Sequence, residues 1–333
     1  MKKIIAIIVF MFLFVLPVRA ENINVAFTID NNYPIFTMLV INSILRNNTS
    51  NSDYTFYVIE NNLTAKNKLK MQKYVNKRNQ TVEFINVDTS IIDEGNWFFW
   101  FSNRITSIAM ARILIPDILP KQVQKVIYMD ADTLVLSDLK DLYDIDLDGK
   151  AFGMTENIAE SDRKIAKYYN SGVILMDLNK CRAENSTLKM LNFVKKHIKE
   201  FSHEEGGNSG FFYPDQDLIN IVMEDEIKEL PLKWNNQCIK NFCVEDTNNQ
   251  KIIHYIGKEK PWTFSGRKND FIKIYFDYWN KSGLRRYKVY YGLIALYSDY
   301  KDIFQSKIAK IKSLINHNRS EERRVGKECR SRW

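Results

Sequence analysis

A chain of 333 residues with 45% hydrophobic and 13% aromatic content can bury a sizeable core as one large or two small domains, which excludes a disordered polypeptide. Its formal charge of +8 would point to nucleic acid if the charge were spread over a binding face, but much of the excess lies near the C-terminus. Residues 319–333 (RSEERRVGKECRSRW) alone carry six basic and three acidic side chains, and without them the net charge is +5.

That terminal stretch has no apolar periodicity and reads as a translated adapter sequence, not native protein. At the other end, residues 1–20 carry Lys2 and Lys3, an apolar run over 4–16, Pro17 and a V-R-A ending at Ala20. This is the pattern of a secretory signal peptide, since the apolar run is short of the roughly 18 residues a membrane span needs. An uncleaved anchor is the other reading of this segment.

Within the remaining chain, residues 24–29 (NVAFTI) predict a strand, 30–34 (DNNYP) a loop, and 35–45 a helix by apolar spacing. Strand, polar loop and helix make the first half of a nucleotide-binding βαβ unit, although the Gly-rich phosphate fingerprint is absent. In such a loop Asp30 can accept from a pyrimidine N–H and Asn32 can bond a ribose, while D-N-N is also an ordinary turn sequence. Residues 54–59 (YTFYVI) predict a second strand, 63–78 an amphipathic helix and 82–87 (VEFINV) a third strand. Alternation of this kind implies a mostly parallel sheet with helices on its faces.

Residues 97–101 (WFFWF) are aromatics in a polar loop, suited to stacking on a sugar, touching lipid or forming a lid. A helix is expected over 105–119, carrying Arg112 as either a buried ion-pair residue or a ligand for a donor substrate. Next, 126–129 (VIYM) reads as a strand buried on both faces, ending in Asp130 and Asp132. Carboxylates at i and i+2 of an extended chain project to one side and can share a hard cation such as Mn²⁺ or Mg²⁺. Asp-x-Asp is also common in turns. The phosphatase pattern D-x-D-x-T is disfavoured, because Thr133 follows the second Asp directly.

Three cysteines remain outside the tail: Cys181, Cys238 and Cys243. Free buried thiols are the default reading, and a disulfide between Cys238 and Cys243 is the alternative if the chain is exported. Residues 266–318 hold eleven basic, four acidic and eleven aromatic side chains, with helix-like runs over 271–279 and 287–312. Such a segment suits peripheral contact with an anionic membrane, or a helical appendage with a solvated basic face; nucleic acid is not expected.

Six blocks together, FTIDNNY, ARILIPDILP, VIYMDADTLVLSDL, YYNSGVILMDL, YPDQDLIN and HYIGKEKPW, resemble glycosyltransferase family 8 in order and spacing. The likeness is to its bacterial lipopolysaccharide glucosyl- and galactosyltransferase branch. It implies a GT-A α/β fold over 21–265, followed by the 266–318 helical appendage. It also implies a UDP-sugar donor (UDP-glucose or UDP-galactose), a glycan or glycolipid acceptor, Mn²⁺ in preference to Mg²⁺, and transfer with retention.

By the same resemblance Asp30 and Asn32 would hold uridine, and Asp130, Asp132 and His254 the metal. Gly257 and Lys260 would lie against the donor diphosphate, Ala131 would be a further donor-binding residue, and Arg112, Asn170 and Asp215 would stand around the donor sugar. Gln216 would stand near the anomeric carbon, supported by Asp217. An amide oxygen is a poor nucleophile, so same-face attack with Gln216 stabilising an oxocarbenium-like state is expected. Met110 departs from the family pattern, which commonly has Tyr there. A non-catalytic sugar-nucleotide or glycan-binding protein on the same scaffold is the alternative function. The donor pool favours the cytoplasmic face of a membrane, whereas residues 1–20 favour export.

Overall fold

The computed structural model describes residues 21–88, 107–157, 167–197, 214–239, 242–243, 249–257, 260–263, 271–291 and 293. The expectations for 1–20, 97–101 and 319–333 lie outside these residues.

Strand β1 (Asn22–Ile29) is followed by helix α1 (Pro34–Arg46), β2 (Asp53–Glu60), helix α2 (Ala65–Asn76) and β3 (Thr81–Asn86). Pro34 stands in the first turn of α1, where a missing N–H costs nothing. Thr64 caps α2 by accepting from Asn67 N. Strand β4 (Lys125–Met129) leads to β5 (Thr133–Val135); β6 (Phe152–Glu156), β7 (Tyr169–Asp177) and β8 (Ile227–Glu229) follow, then β9 (Asn236–Ile239), β10 (Phe242–Cys243) and β11 (Ile252–Tyr255).

The main sheet has seven strands in the order β3-β2-β1-β4-β7-β6-β8. Its β1–β2, β2–β3, β1–β4 and β6–β8 pairs are parallel, while β7 runs antiparallel to both β4 and β6. Strand alternation divides two cores across it. Val25, Phe27, Ile127 and Met129 pack on one face with α1, whereas Ala26, Val126 and Tyr128 pack on the other with Ile113 and Leu114. From β1 the chain passes outward to β2 and β3, then returns to place β4 on the opposite side of β1. Open α/β sheets bind ligands beyond the strand C-termini at such a switch point. Asp30 and Asp130 follow directly from the two strands that flank it.

A second, four-stranded sheet, β10-β9-β11-β5, was not foreseen in the sequence. Its strands have only two to four residues each, too short for periodicity to register. Cys238 and Cys243 are register partners on β9 and β10 and form a disulfide, which corrects the free-thiol reading. Cys181 is a free thiol, and burial pushes its pKa up to about 12.

The helix expected over 105–119 is also corrected. Its described part is three short pieces: Ser107–Met110, a 3₁₀ turn at Ala111–Leu114, and Ile115–Ile118. Pro116 has no N–H to offer the Arg112 carbonyl four residues back, and that carbonyl instead accepts from Ile115 N.

The helix Ile272–Lys281 packs on α1 and buries Tyr275 and Trp279 in the main core. Tyr74 Oη and Arg78 Nη2 of the α2 region donate to Ser282 O at 2.8 and 3.0 Å. Part of the aromatic content of 266–318 is therefore core. Val289, Tyr290 and Leu293 are exposed.

Candidate active site

Asp130-Ala131-Asp132 is the short link between β4 of the large sheet and β5 of the small one. Both sheets hold it: Asp130 N donates to Gly172 O of β7 at 2.8 Å, and Tyr255 N of β11 donates to Asp132 O at 3.0 Å. Thr133 Oγ1 closes the turn onto Asp130 O at 2.9 Å.

His254 reaches this link from β11, paired with Thr133 of β5 and Gln237 of β9. Its Nε2 lies 3.3 Å from Asp132 Oδ1 and 3.7 Å from Asp130 Oδ2. Ligand atoms about 2.1 Å from one octahedral ion stand roughly 3 Å apart, so these spacings fit a shared cation. Asp132 Oδ1 is buried with no hydrogen bond, an acceptor that a metal would satisfy. Among the described residues, Asp130, Asp132 and His254 form the group able to hold a metal ion. His254 fits here because residue 172 is glycine. A Cβ on Gly172 would stand 2.0 Å from His254 Cε1.

The two carboxylates have different partners. Lys260 Nζ pairs with Asp132 Oδ2 and donates to Tyr255 O at 2.7 Å. Burial raises the Asp132 pKa, but Lys260 and His254 outweigh it and hold the carboxyl below the ordinary range. Asp130 continues the β4 alternation onto the face of Tyr128, whose Oη donates to Asp130 Oδ1 at 2.5 Å. Arg112 Nη2 approaches the same oxygen at 3.1 Å, yet burial dominates and raises the Asp130 pKa.

Arg112 joins this carboxylate to Asp215, whose Oδ2 is 3.1 Å from Nε, and its Nη1 donates to Ser171 O and Oγ at 2.9 and 3.0 Å. Arg112 thus makes the buried ion pairs that one of its two readings expects. Asp215, Gln216 and Asp217 occupy the first turn of the helix Pro214–Val222. Ser171 Oγ donates to Asp215 Oδ2 at 2.9 Å. Gln216 Oε1 accepts from Ser171 N at 3.0 Å and from Asn170 Nδ2 at 3.2 Å. Asp217 instead accepts from Tyr168 Oη, behind this row.

Asp30 and Asn32 lie in the loop after β1, where Asn32 N and Nδ2 donate to the Asp30 carboxylate at 2.7 and 3.1 Å. Asn31 ties the loop to the start of α2 by donating to Asn62 O at 2.7 Å and accepting from Thr64 N at 2.8 Å. Tyr33 comes near enough to the carboxylates that burial, then Asp132, Asp30 and Asp130, push its pKa up to about 12. Gly257 has φ +76° between His254 and Lys260, a conformation glycine adopts freely.

Tyr128, Ser171, Gly172 and Asn235 take part in this site without having been singled out in the sequence. The first three lie inside the blocks quoted above. Asn235 carried no local signal: it is fully buried, with Oδ1 3.0 Å from His254 Nδ1 and Nδ2 donating to Asn170 Oδ1 at 2.8 Å.

Comparison with known proteins bears on this geometry. General stress protein A of Bacillus subtilis (strain 168) is 28% identical over 291 residues, covering 80% of this chain and 97% of the relative. A lipopolysaccharide 1,2-glucosyltransferase of Escherichia coli is 27% identical over 269 residues, 73% of this chain and 74% of that enzyme. The galactosyltransferase LgtC, solved with donor and acceptor sugar analogs, superposes with a TM-score of 0.64 at 20% identity, over 78% of this chain and 95% of that one. That likeness establishes the GT-A fold. The sequence profile of Glycosyl transferase family 8 matches residues 24–266, a span that runs from β1 through His254 and Lys260, and the chain therefore belongs to that family and is a hexosyltransferase.

Proposed function

We propose that this hexosyltransferase moves glucose or galactose from a UDP-sugar to a lipopolysaccharide or other surface-glycan acceptor, with Mn²⁺ held by Asp130, Asp132 and His254. The observation that carries this reading is the buried Asp132 Oδ1, which has no hydrogen bond, facing His254 Nε2 across 3.3 Å at the switch point of the sheet. An imidazole beside two carboxylates suits Mn²⁺ better than Mg²⁺, which prefers oxygen ligands. When bound, the ion neutralises the diphosphate and stabilises charge on the departing UDP.

The chain's own groups do the rest. Lys260 adds a second cation for the leaving diphosphate, with Gly257 and Ala131 letting backbone approach it. Asp30 and Asn32 read the uridine; Arg112, Asp215 and Asn170 orient the donor sugar. Gln216 Oε1 already accepts hydrogen bonds from Ser171 N and Asn170 Nδ2, which draws electron density from an oxygen that is a weak nucleophile to begin with. This favours same-face attack with retention over a covalent intermediate on Gln216.

For location, the reading is a membrane-associated enzyme on the cytoplasmic face, where the donor pool lies, with export as the alternative suggested by residues 1–20. Exposed Val289, Tyr290 and Leu293 beside Arg285, Arg286 and Lys288 support peripheral contact through 266–318. Among the described residues no helix is long and apolar enough to cross a membrane.

UDP release from a panel of UDP-sugars tests the proposal. Turnover is expected with UDP-glucose or UDP-galactose plus Mn²⁺, and a drop of more than about 100-fold in Asp132→Ala and His254→Ala. Equal turnover with chelator, or in either variant, refutes the metal-dependent mechanism.

A further inference from the structure

The buried amides behind His254 form a chain whose hydrogen-bond direction can be worked out from the backbone. Gly172 N donates to one side-chain atom of Asn170 at 3.0 Å, and a backbone N–H can only donate, so that atom is Oδ1. Ser171 N likewise donates to Gln216 at 3.0 Å, which makes the receiving atom Oε1. Asn170 must then present Nδ2 to Gln216, at 3.2 Å, in agreement with both assignments.

Asn235 meets the accepting oxygen of Asn170 at 2.8 Å, so it must present Nδ2 there. Its Oδ1 is left facing His254 Nδ1 at 3.0 Å, and an oxygen acceptor requires Nδ1 to carry the proton. Neutral His254 therefore has its lone pair on Nε2, the nitrogen aimed at Asp132 Oδ1 and Asp130 Oδ2. Three electron-rich atoms converging in a buried site repel one another unless a metal ion, or a second proton that makes the ring a cation, stands between them. Were the proton on Nε2 instead, it would occupy the position a metal needs.

We propose that Asn235 is a positioning residue for the metal ligand. Its amide fixes the Nδ1–H tautomer of His254 and links that ring, through Asn170, to Gln216, with the Ser171 and Gly172 backbone amides setting the direction of the whole chain. Asn235 touches neither the ion nor the donor sugar in this arrangement. It acts on the metal by presenting the Nε2 lone pair, and on Gln216 by holding Asn170. The proposal rests on the reading of Asp130, Asp132 and His254 as metal ligands.

Nitrogen NMR of the metal-free protein labelled at histidine tests the tautomer directly, with the His254 signal assigned by its loss in His254→Asn. A proton on Nδ1 is expected, whether the ring is neutral or doubly protonated, and a bare Nδ1 with protonated Nε2 overturns the proposal. In parallel, Mn²⁺ titrations followed by electron paramagnetic resonance compare two variants, with thermal unfolding as a check on folding. Asn235→Leu, of similar size and without hydrogen bonds, is expected to weaken Mn²⁺ binding about 10–100-fold and to give mixed tautomers. Asn235→Asp keeps the acceptor for Nδ1–H but cannot donate to Asn170, so it should retain Mn²⁺ affinity within about threefold of the wild type while turnover falls.

Unchanged Mn²⁺ affinity in Asn235→Leu, or equal loss in both variants, overturns the assignment. If Asn235→Leu does not fold, the wild-type tautomer still decides. Absence of Mn²⁺ binding in the wild type would defeat the metal reading and not the relay, which the tautomer measurement judges separately.

Discussion

Asp130 and Asp132 are separated by one residue, but they belong to different halves of the molecule. Asp130 ends a strand of the large sheet and is held by Tyr128 and Arg112, in surroundings that raise its pKa. Asp132 opens into the small sheet and is held by Lys260, in surroundings that lower it. The cation beside Asp130 is 6% exposed and also binds Asp215 and Ser171, so it ties three segments of the chain together. The cation beside Asp132 comes from the segment after β11 and binds one carboxylate and one carbonyl. In the proposed reading, one side of the link supplies rigidity and the other exchanges partners when a diphosphate arrives.

The largest effect expected from breaking this asymmetry is in Arg112→Met. Removing a buried guanidinium leaves Asp130 and Asp215 without their cation, which should cost about 3–5 kcal/mol of stability in urea unfolding. A loss under about 1 kcal/mol would show that Arg112 is not the structural member of the pair. Lys260→Met should cost less stability than Arg112→Met, because Lys260 serves one carboxylate and not two, while turnover falls about 100-fold. Because Asp132 then loses its competing cation, Mn²⁺ affinity should hold or improve; a parallel fall in affinity and turnover would contradict the division of roles.

A smaller effect is expected in Gly172→Ala, where the added Cβ must displace the His254 ring from its place beside both carboxylates. Overpacking of this kind costs about 1–3 kcal/mol. Mn²⁺ affinity should fall with it, and a variant that binds the ion as tightly as the wild type would show that the ring can move without losing its ligand role.

Much of this was legible before the structure. Long strands and amphipathic helices announce themselves by period, and β1, α1, β2, α2 and β3 fall within two residues of their expected limits. Asp130 and Asp132 were visible because their partnership is local, resting on alternation in one short stretch. The small sheet was not visible, since strands of two to four residues carry no period. Arg112 could be named but not assigned a role, because its burial and its pairing with Asp130 after β4, Ser171 on β7 and Asp215 on the Pro214–Val222 helix are properties of packing.

The sequence by itself determined the α/β order of elements, the carboxylate pair at the end of β4 and, through six ordered blocks, the family. Its chemistry types are written locally, in strand period, turn residues and spacing. Only the tertiary structure decided that Asp130 and Asp132 answer to two different sheets, that Gly172 is small to admit His254, and that Asn235 stands behind the ring. Those facts depend on contacts across dozens of residues of chain, where hydrogen-bond direction and close approach are set by which backbones meet and not by which residues are neighbours in sequence.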